Sequence, residues 1–250
     1  MNSPSKPSDQ TLGDRGASAP PAGSVSLCLL TLNEIGGCRH DVPLVPVGAF
    51  DQVFAVDGGS TDGTVEYLQS QGIRVVEQPQ PGYNQAYICA FETCSSDALV
   101  VFHPKGSVPP SAVLSFRALF AQGYDLVVAS RMMKGASNEE DDRLFRPRKW
   151  FVLGLGFISS LLWRRSGPVM WDVLHGFRGM RRDRFFTIDP IPDDLTLDLE
   201  MIVRGYRKGY RMTEFPVRER RRLAGDTHFK AIPTGWRYFV YLSKEFRRSV

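Results

Sequence analysis

The side chains best suited to chemistry follow three apolar runs of the sequence. Asn33 and Glu34 follow "LLTL", Asp57 ends "QVFAVD", and "HPK" follows "ALVVF". The carboxyl ends of parallel strands meet at one edge of a sheet, where open α/β folds bind their ligands, so we expect all three sets at that edge. The first two sets offer oxygens that can accept hydrogen bonds from a nucleobase or ribose. Together they favour a nucleoside site.

The stretch "DGGSTDGT" predicts how Asp57 is presented. Its glycine pair suits a tight turn, and Ser60, Thr61 or Asp62 can cap a helix that begins near Thr64. An equally open interpretation is a capped turn in which Asp57 is only solvated.

The third set is cationic, because His103-Pro104-Lys105 ends in an ammonium group. A lysine binds phosphate as a point charge. Basic residues also cluster at 143–149, 178–184 and 204–222, although the net charge is only +4. Such clusters favour anionic ligands, with phosphate first, or are simply solvated surface. We expect no nucleic-acid partner.

The elements that must position these residues alternate between β-branched apolar runs and helix-periodic stretches. The predicted strands are "SVSLCLLTL", "QVFAVD", "IRVVEQ", "ALVVF" and "DLVVAS". Helices are predicted at 83–94, with one apolar face, and after Pro109-Pro110. This pattern predicts the α/β class, with a mostly parallel central sheet flanked by helices.

Beyond residue 131 the alternation stops, and the apolar segment 150–163 follows a basic stretch. Its 14 residues are too few to cross a bilayer, which takes about 20. It is either a buried helix or, given its basic flanks, an interfacial one within 145–165 on a membrane surface. A strand at "GFRGMRR", a helix at 197–209, a strand at "YRMTEFPVRER" and a helix near 234–247 complete the prediction.

Composition bears on domain organisation and location. Residues 1–24 carry Pro, Ser and Gly with few large apolar residues, which predicts a disordered tail before one domain at 25–250. The four cysteines, at positions 28, 38, 89 and 94, show no C-x-x-C pairing and fall in apolar patterns, so we expect reduced core thiols. We therefore expect a cytoplasmic protein, peripheral at the inner face of the membrane if 145–165 is interfacial.

Five motifs in order, "TLNE", "AVDGGSTDGT", "ASRMMKG", "DVLHGFRGMRRDRF" and "KGYRMTEFPVRERRRLAGDTHF", resemble glycosyltransferase family 2. The match is best to its dolichyl/polyprenyl-phosphate mannose synthase branch, over roughly 25–245. The resemblance implies a GT-A fold, a nucleotide-sugar half at 25–130 and an acceptor half at 131–250. It also implies an inverting transfer from a GDP- or UDP-hexose. The nucleotide-binding residues that it implies are Leu30, Thr31, Leu32, Glu34, Asp57, Gly59, His103 and Pro104.

The family pattern is broken after "ALVVF". An Asp-x-Asp that holds Mg²⁺ or Mn²⁺ in relatives is replaced by His103 and Lys105, and the next ligand position is Ser107. Replacing two carboxylates by one ammonium shifts the local charge by about three units, in the direction that the metal would have supplied. We expect no metal cofactor, with Lys105 catalytic. The alternatives are a binding protein that has lost its metal site, or a weak metal held by His103 alone.

On the acceptor side the motif residues Asp172, Gly176, Phe177 and Arg178 match the family, while His175 replaces a small hydroxyl residue. Asp172 and His175 could form a carboxylate-oriented base, or His175 is simply packed or solvated. Glu200 is a candidate carboxylate or pairs with Arg204 on the helix surface. The resemblance implies catalytic or phosphate-binding roles for Arg131, Lys134, His175, Arg178, Arg222, Thr227 and His228.

These observations predict transfer of a mannose- or glucose-type hexose to a polyprenyl phosphate or other phosphorylated acceptor. Transfer to a soluble small molecule and a non-catalytic nucleotide-sugar binder stay open.

Overall fold

A seven-stranded sheet forms the centre of the protein. The computed structural model describes residues 23–141, 145–192, 194–221 and 231–248. The strands are β1 Val25–Thr31, β2 Gln52–Asp57, β3 Arg74–Glu77, β4 Ala98–Phe102, β5 Leu126–Ser130, β6 Arg178–Arg181 and β7 Met212–Pro216. Their order across the sheet is β3-β2-β1-β4-β6-β5-β7. Neighbouring strands run parallel, except that β6 is antiparallel to both β4 and β5.

Helices cover both faces of this sheet. They are α1 Ile35–Asp41, α2 Thr64–Ser70, α3 Tyr83–Thr93, α4 Val113–Ala121, α5 Pro147–Trp163, α6 Arg182–Thr187, α7 Leu197–Lys208 and α8 Ala231–Arg247. Short 3₁₀ turns occupy Val42–Leu44, Val47–Ala49 and Pro110–Ala112. Among the described residues, no helix is both long and apolar enough to span a membrane.

Strand β1 shows why these runs are continuously apolar. All seven of its residues are buried, because helices cover both faces of the sheet. Alternate side chains point to opposite faces, so Cys28 and Leu30 join one core cluster while Leu27 and Leu29 join the other. The first core packs against α3, α5, α7 and α8, and the second against α1, α2 and α4.

The strand ends meet at one edge, as the sequence predicts. Thr31 pairs with Asp57 across β1 and β2, and Leu29 pairs with Phe102 across β1 and β4. The predicted α/β class is confirmed, and the four cysteines are buried free thiols. Helix α1 and the antiparallel placement of β6 were not predicted. The predicted tail at 1–24 lies outside the described residues except for its last two, and the division into halves stays a prediction.

Candidate active site

The turn after β2 is organised by the carboxylate of Asp57. Its two oxygens accept four hydrogen bonds, from the Gly59 and Ser60 amides and the Thr31 and Ser60 hydroxyls, at 2.6–2.9 Å. Asp57 is only 1% exposed. Gly59 has φ +94, a conformation that favours glycine. Asp57 is therefore a structural anchor of this edge rather than a merely solvated residue.

A second set of bonds ties this turn to the end of β1. The Asn33 amide donates to Ser60 Oγ and the Thr61 amide donates to Asn33 Oδ1, each at 2.8 Å. The Glu34 amide donates to Thr64 Oγ1 at 3.0 Å. Of the predicted nucleotide-binding residues here, Leu30, Thr31 and Glu34 are buried, while Leu32 is 40% exposed beside Gly58. The edge is rigid, with Leu32 as its exposed apolar wall.

A cavity of about 320 Å³ opens beside the loop after β4. It brings together four predicted residues from distant parts of the chain: His103, Lys105, Arg131 and His175. The remaining polar lining comes from Tyr83, Ser107, Asn138, Glu139, Arg148, Asp198, Glu219 and Tyr238, and the rest is mainly apolar. Leu30, Thr31, Leu32, Glu34, Asp57, Gly59 and Pro104 do not line this cavity, although Pro104 lies in the same loop.

His103 is held by tyrosines of α3. The Tyr87 hydroxyl donates to the Gly176 carbonyl at 2.6 Å and lies 3.3 Å from His103 Nε2. Because a hydroxyl has one proton, His103 Nε2 must donate in the second contact. Tyr83 donates to Asp198 Oδ2 at 2.9 Å and lies next to Tyr87.

Gly176 makes this arrangement possible. A Cβ there would lie 2.7 Å from both His103 Nε2 and the Tyr83 hydroxyl, distances that real Cβ atoms do not show. The "HGF" motif thus leaves room for His103 at the cavity wall.

Arg131 is clamped by two carboxylates. Its Nε and Nη2 donate to the two oxygens of Asp172 at 2.8 and 2.9 Å, and Nη1 lies 3.3 Å from Glu219. Burial alone would raise the pKa of Asp172, but the Arg131 charge lowers it to about 2. Burial raises the pKa of Glu219, and the Arg131 charge only partly opposes that shift. Arg131 therefore lies in the cavity wall with its charge balanced by Asp172 and with a second carboxyl group, Glu219, beside it.

His175 is neutral in this setting. Its Nδ1 donates to the Ala129 carbonyl, and it is 9% exposed. Burial, followed by the charge of Arg131, lowers the pKa of His175 to about 3. Asp172 bonds to Arg131 rather than to His175, so the carboxylate-oriented base is not formed. The packed alternative describes His175 better.

Arg178, expected from the resemblance to bind the acceptor, lies instead in the core with 0% exposure. Its guanidinium donates to the His175 and Asp198 carbonyls at 2.8 and 2.5 Å, and Nε lies 3.0 Å from Asp198 Oδ1. The guanidinium joins β6 to α7, and because the side chain is fully buried, a ligand in the cavity cannot touch it.

Two further predicted residues lie away from the cavity. Lys134 is exposed on the surface. Glu200 pairs with Arg204 at 3.5 Å, as one alternative held, but it is fully buried rather than on a solvated helix surface. It also accepts from Thr196 and Asn84, and so joins α7 to α3. Arg222, Thr227 and His228 lie outside the described residues.

The sequence missed Tyr83, Tyr87, Asp198 and Glu219 as site residues. Tyr83 and Tyr87 fall on the apolar face of α3 and read as core. The available signal was their i, i+4 spacing, which places two hydroxyls side by side where each must find a partner. Asp198 and Glu219 carried no local signal, since their partners are far away in sequence.

The residues present do not fit a divalent cation. Mg²⁺ and Mn²⁺ favour carboxylate and other oxygen ligands, whereas the loop after β4 presents an imidazole and an ammonium group. Within 23–141, 145–192, 194–221 and 231–248, no group of three or more His, Cys, Asp or Glu side chains could hold a metal ion. The donor set here suits an anion.

Helices α5 and α8 both contribute to the cavity wall, and both also carry exposed apolar side chains. Among these, Phe157, Leu161 and Trp236 are 56%, 71% and 70% exposed. The opposite side of α5 is buried. One side of the segment 150–163 is thus buried, as expected of a core helix, and the other is exposed and apolar, as expected of an interfacial helix. We call Trp150, Phe157, Leu161, Trp236 and Phe239 the apolar face.

Comparison with known proteins points to sugar transfer. A family model described as "Glycosyl transferase family 2" matches residues 48–186. The Dolichyl-phosphate hexose transferase of Haloferax volcanii is 30% identical over 200 residues, 79% of this chain and 82% of that protein. Glycosyltransferase AglJ of the same organism is 27% identical over 201 residues, 77% of this chain and 62% of that longer protein.

A solved structure supports the fold. Glucosyl-3-phosphoglycerate synthase from Mycobacterium tuberculosis, in complex with Mn²⁺, UDP-glucose and glycerol 3-phosphate, has a TM-score of 0.65 at 19% identity. The match covers 88% of this chain and 78% of that one. At this identity the likeness concerns the fold alone, and it agrees with the sheet described above.

Proposed function

Because the chain belongs to glycosyl transferase family 2, we propose that this hexosyltransferase moves its sugar from a nucleoside diphosphate to a polyprenyl phosphate. The name of the Haloferax relative supports a lipid-phosphate acceptor, and UDP-glucose in the structural neighbour supports a nucleotide-sugar donor. The observation that carries the proposal is the cavity in which Lys105 and Arg131 lie near apolar walls from α5 and α8.

We assign neutralisation of the leaving group to Lys105. As the bond from the anomeric carbon to the diphosphate breaks, negative charge grows on the diphosphate oxygens. A preorganised cation at that position lowers the barrier by several kcal/mol, as a metal ion does elsewhere. Since the residues of this loop do not suit a divalent cation, we propose a metal-independent transfer. Loss of the metal site with retention of binding alone is the opposing hypothesis.

The acceptor chemistry needs no protein base in this proposal. A phosphate monoester is ionised near neutral pH, so one of its oxygens can attack the anomeric carbon while the nucleoside diphosphate departs with the bonding electrons. No proton has to be removed, which is consistent with a neutral His175 whose Nδ1 is already bonded. Attack opposite the leaving group inverts the anomeric centre.

We assign binding of the acceptor phosphate to Arg131. Its guanidinium already shares its charge with Asp172 and Glu219, so a phosphate must compete with the looser 3.3 Å contact to Glu219. The apolar wall formed by Phe151, Val152, Leu174 and Tyr238 suits the first carbons of a lipid chain.

Transfer to a soluble phosphorylated acceptor is the second candidate. The glycerol 3-phosphate in the structural neighbour favours it, since that molecule is small and anionic. In that case the apolar face would have no role in catalysis.

The test is a transfer assay with radiolabelled UDP- and GDP-hexoses, each offered a short polyprenyl phosphate in detergent or glycerol 3-phosphate in buffer. We expect a glycolipid product with a single inverted anomeric configuration. A product formed only with glycerol 3-phosphate would replace the lipid acceptor by a soluble one. Binding of UDP or GDP without transfer or hydrolysis under any condition would favour the non-catalytic binder.

We also propose that the apolar face rests on a bilayer, with the protein peripheral on the cytoplasmic side. Arg164 and Arg165, which are exposed at the end of α5, suit anionic headgroups there. The measurement is co-sedimentation with vesicles that contain phosphatidylglycerol. Leu161→Glu should abolish sedimentation, whereas Leu44→Glu, at a 58% exposed leucine outside the apolar face, should leave it unchanged. Equal sedimentation of both variants and the unaltered protein would contradict the membrane role.

A further inference from the structure

Helix α1 packs directly beneath the loop that carries Lys105. A Cβ on Gly37 would overlap the Pro104 carbonyl oxygen and lie 2.8 Å from the Lys105 Cα. The helix backbone itself therefore touches the loop backbone. The loop backbone therefore cannot move closer to α1.

The last residue of α1 binds the same loop through its side chain. Asp41 is 0% exposed, and its Oδ2 accepts from the Gly106 amide at 2.8 Å. Its other oxygen lies 2.8 Å from His40 Nδ1. Gly106 has φ +66, so the chain turns sharply just after Lys105. The bond from Asp41 fixes the plane of the peptide between Lys105 and Gly106.

The loop is tied at its two ends by other groups. His103 contacts Tyr87 at the start, and the Ser107 carbonyl accepts from the Arg220 amide at 2.8 Å at the end. The bond from Asp41 lies between these two ties, at the peptide that adjoins Lys105. It is therefore better placed than either end contact to set the direction in which the Lys105 Cα–Cβ bond leaves the backbone.

We propose that Asp41 is a positioning residue that aims Lys105 at the diphosphate of the donor, an inference that rests on the proposed role of Lys105. The carboxylate orients the Lys105–Gly106 peptide, and Gly37 sets the depth of the loop. Asp41 does not touch the donor, because it is fully buried.

Helix α1 also connects the loop that carries Lys105 to the turn after β2, where we expect the nucleoside to bind. Its first amide, of Ile35, donates to Asp62 Oδ2 at 3.0 Å in the turn after β2. One short helix is thus anchored to the nucleoside edge at its beginning and to the lysine loop at its end. The distance between the two halves of the donor site is thereby fixed.

A double-mutant cycle tests the inference without any acceptor. The dissociation constants of UDP and uridine are measured by calorimetry in EDTA for the unaltered protein, Asp41→Ala, Lys105→Ala and the double variant. GDP and guanosine replace them if guanine is the base bound. We expect Asp41→Ala, which removes the acceptor of the Gly106 amide, to weaken UDP binding about 10-fold and uridine binding by less than about 2-fold. In the Lys105→Ala background the same substitution should weaken UDP binding by less than about 2-fold.

The outcomes separate the two assignments. If Lys105→Ala leaves UDP affinity unchanged, the role of Lys105 is wrong and the inference falls with it. If Lys105→Ala weakens UDP binding but Asp41→Ala has the same effect in both backgrounds, or weakens uridine binding equally, Asp41 is only structural. Asp51→Ala is the control, because Asp51 also accepts a backbone amide, that of Val25 at 2.8 Å. Should Asp41→Ala not fold, Asp41→Glu keeps the charge and displaces the carboxylate.

Discussion

Two loops at the same edge of the sheet show opposite uses of charged residues. Residues 58–63 follow β2 and residues 103–107 follow β4, and each contains a glycine with positive φ. At the first loop the charged group, Asp57, points inward and satisfies four donors of its own surroundings. At the second loop, Lys105 lines an open cavity. The hydrogen bond that shapes the loop backbone comes from Asp41, a residue outside the loop.

This difference bears on the family resemblance, which implies two carboxylates where the second loop has His103 and Lys105. Its shape is set by Asp41, Gly37 and the Arg220 amide, which bond to or touch backbone atoms. We therefore expect that the side chain at 105 can differ from the carboxylate that the resemblance implies while the backbone path is preserved. The first loop has no such freedom, since its carboxylate is part of the turn.

The largest effect should come from removing the charge of the second loop. Lys105→Ala is expected to lower kcat for transfer about 10²- to 10³-fold, as loss of a preorganised charge-stabilising donor does. The melting temperature should stay within about 2 °C, because the backbone of the loop is held by Asp41 at the Gly106 amide and by the Arg220 amide at the Ser107 carbonyl. Lys208→Ala, at an exposed lysine that ends α7, is the control. If Lys105→Ala lowers both the melting temperature and the activity, Lys105 is a structural residue like Asp57, and the proposed difference between the two loops is wrong.

The next effect should fall on stability at the first loop. Asp57→Ala leaves the Gly59 and Ser60 amides and the Thr31 hydroxyl without their acceptor. We expect the free energy of unfolding to drop by about 2–3 kcal/mol, measured by urea denaturation. The affinities for UDP and for uridine should fall together. By contrast, we expect Lys105→Ala to weaken the binding of UDP but not that of uridine. Unchanged stability would show that the turn does not depend on its carboxylate.

The effect that is smallest at neutral pH is a pH dependence, which tests whether Lys105 and Arg131 act without a third cation. His175 has a pKa near 3 in the folded protein against an ordinary value of 6.5. Between these values the unfolded chain binds a proton that the folded protein does not, so the free energy of unfolding falls as the pH drops from 6.5 toward 3.

His175→Asn should remove up to about 1.4 kcal/mol per pH unit from that slope. Glu214, whose pKa burial raises to about 7, gives an opposite slope that is common to both proteins and cancels in the difference. Identical slopes for the His175 variant and the unaltered protein would mean that His175 keeps its ordinary pKa in the folded protein and carries a charge below about pH 6.5.

The sequence predicted those parts of the site that depend on local pattern. Strand ends placed Asp57 and Lys105 at one edge because β-branched runs and turns are local signals. Arg131 and His175 were predicted only through the family resemblance. Asp198 escaped notice because its partner Tyr83 is 115 positions away. Arg178 was expected to be a ligand through the family resemblance, and only the antiparallel placement of β6 between β4 and β5 shows why it is buried.

The most direct test of metal independence is the transfer rate of the unaltered protein in EDTA compared with the rate in excess Mg²⁺ or Mn²⁺. We expect equal rates, because Lys105 supplies the positive charge. The double substitution His103→Asp with Lys105→Asp, which restores two carboxylates on an unchanged loop, should be inactive in EDTA and regain activity with Mn²⁺. Loss of the unaltered protein's activity in EDTA, with recovery on adding Mn²⁺, would contradict the central claim.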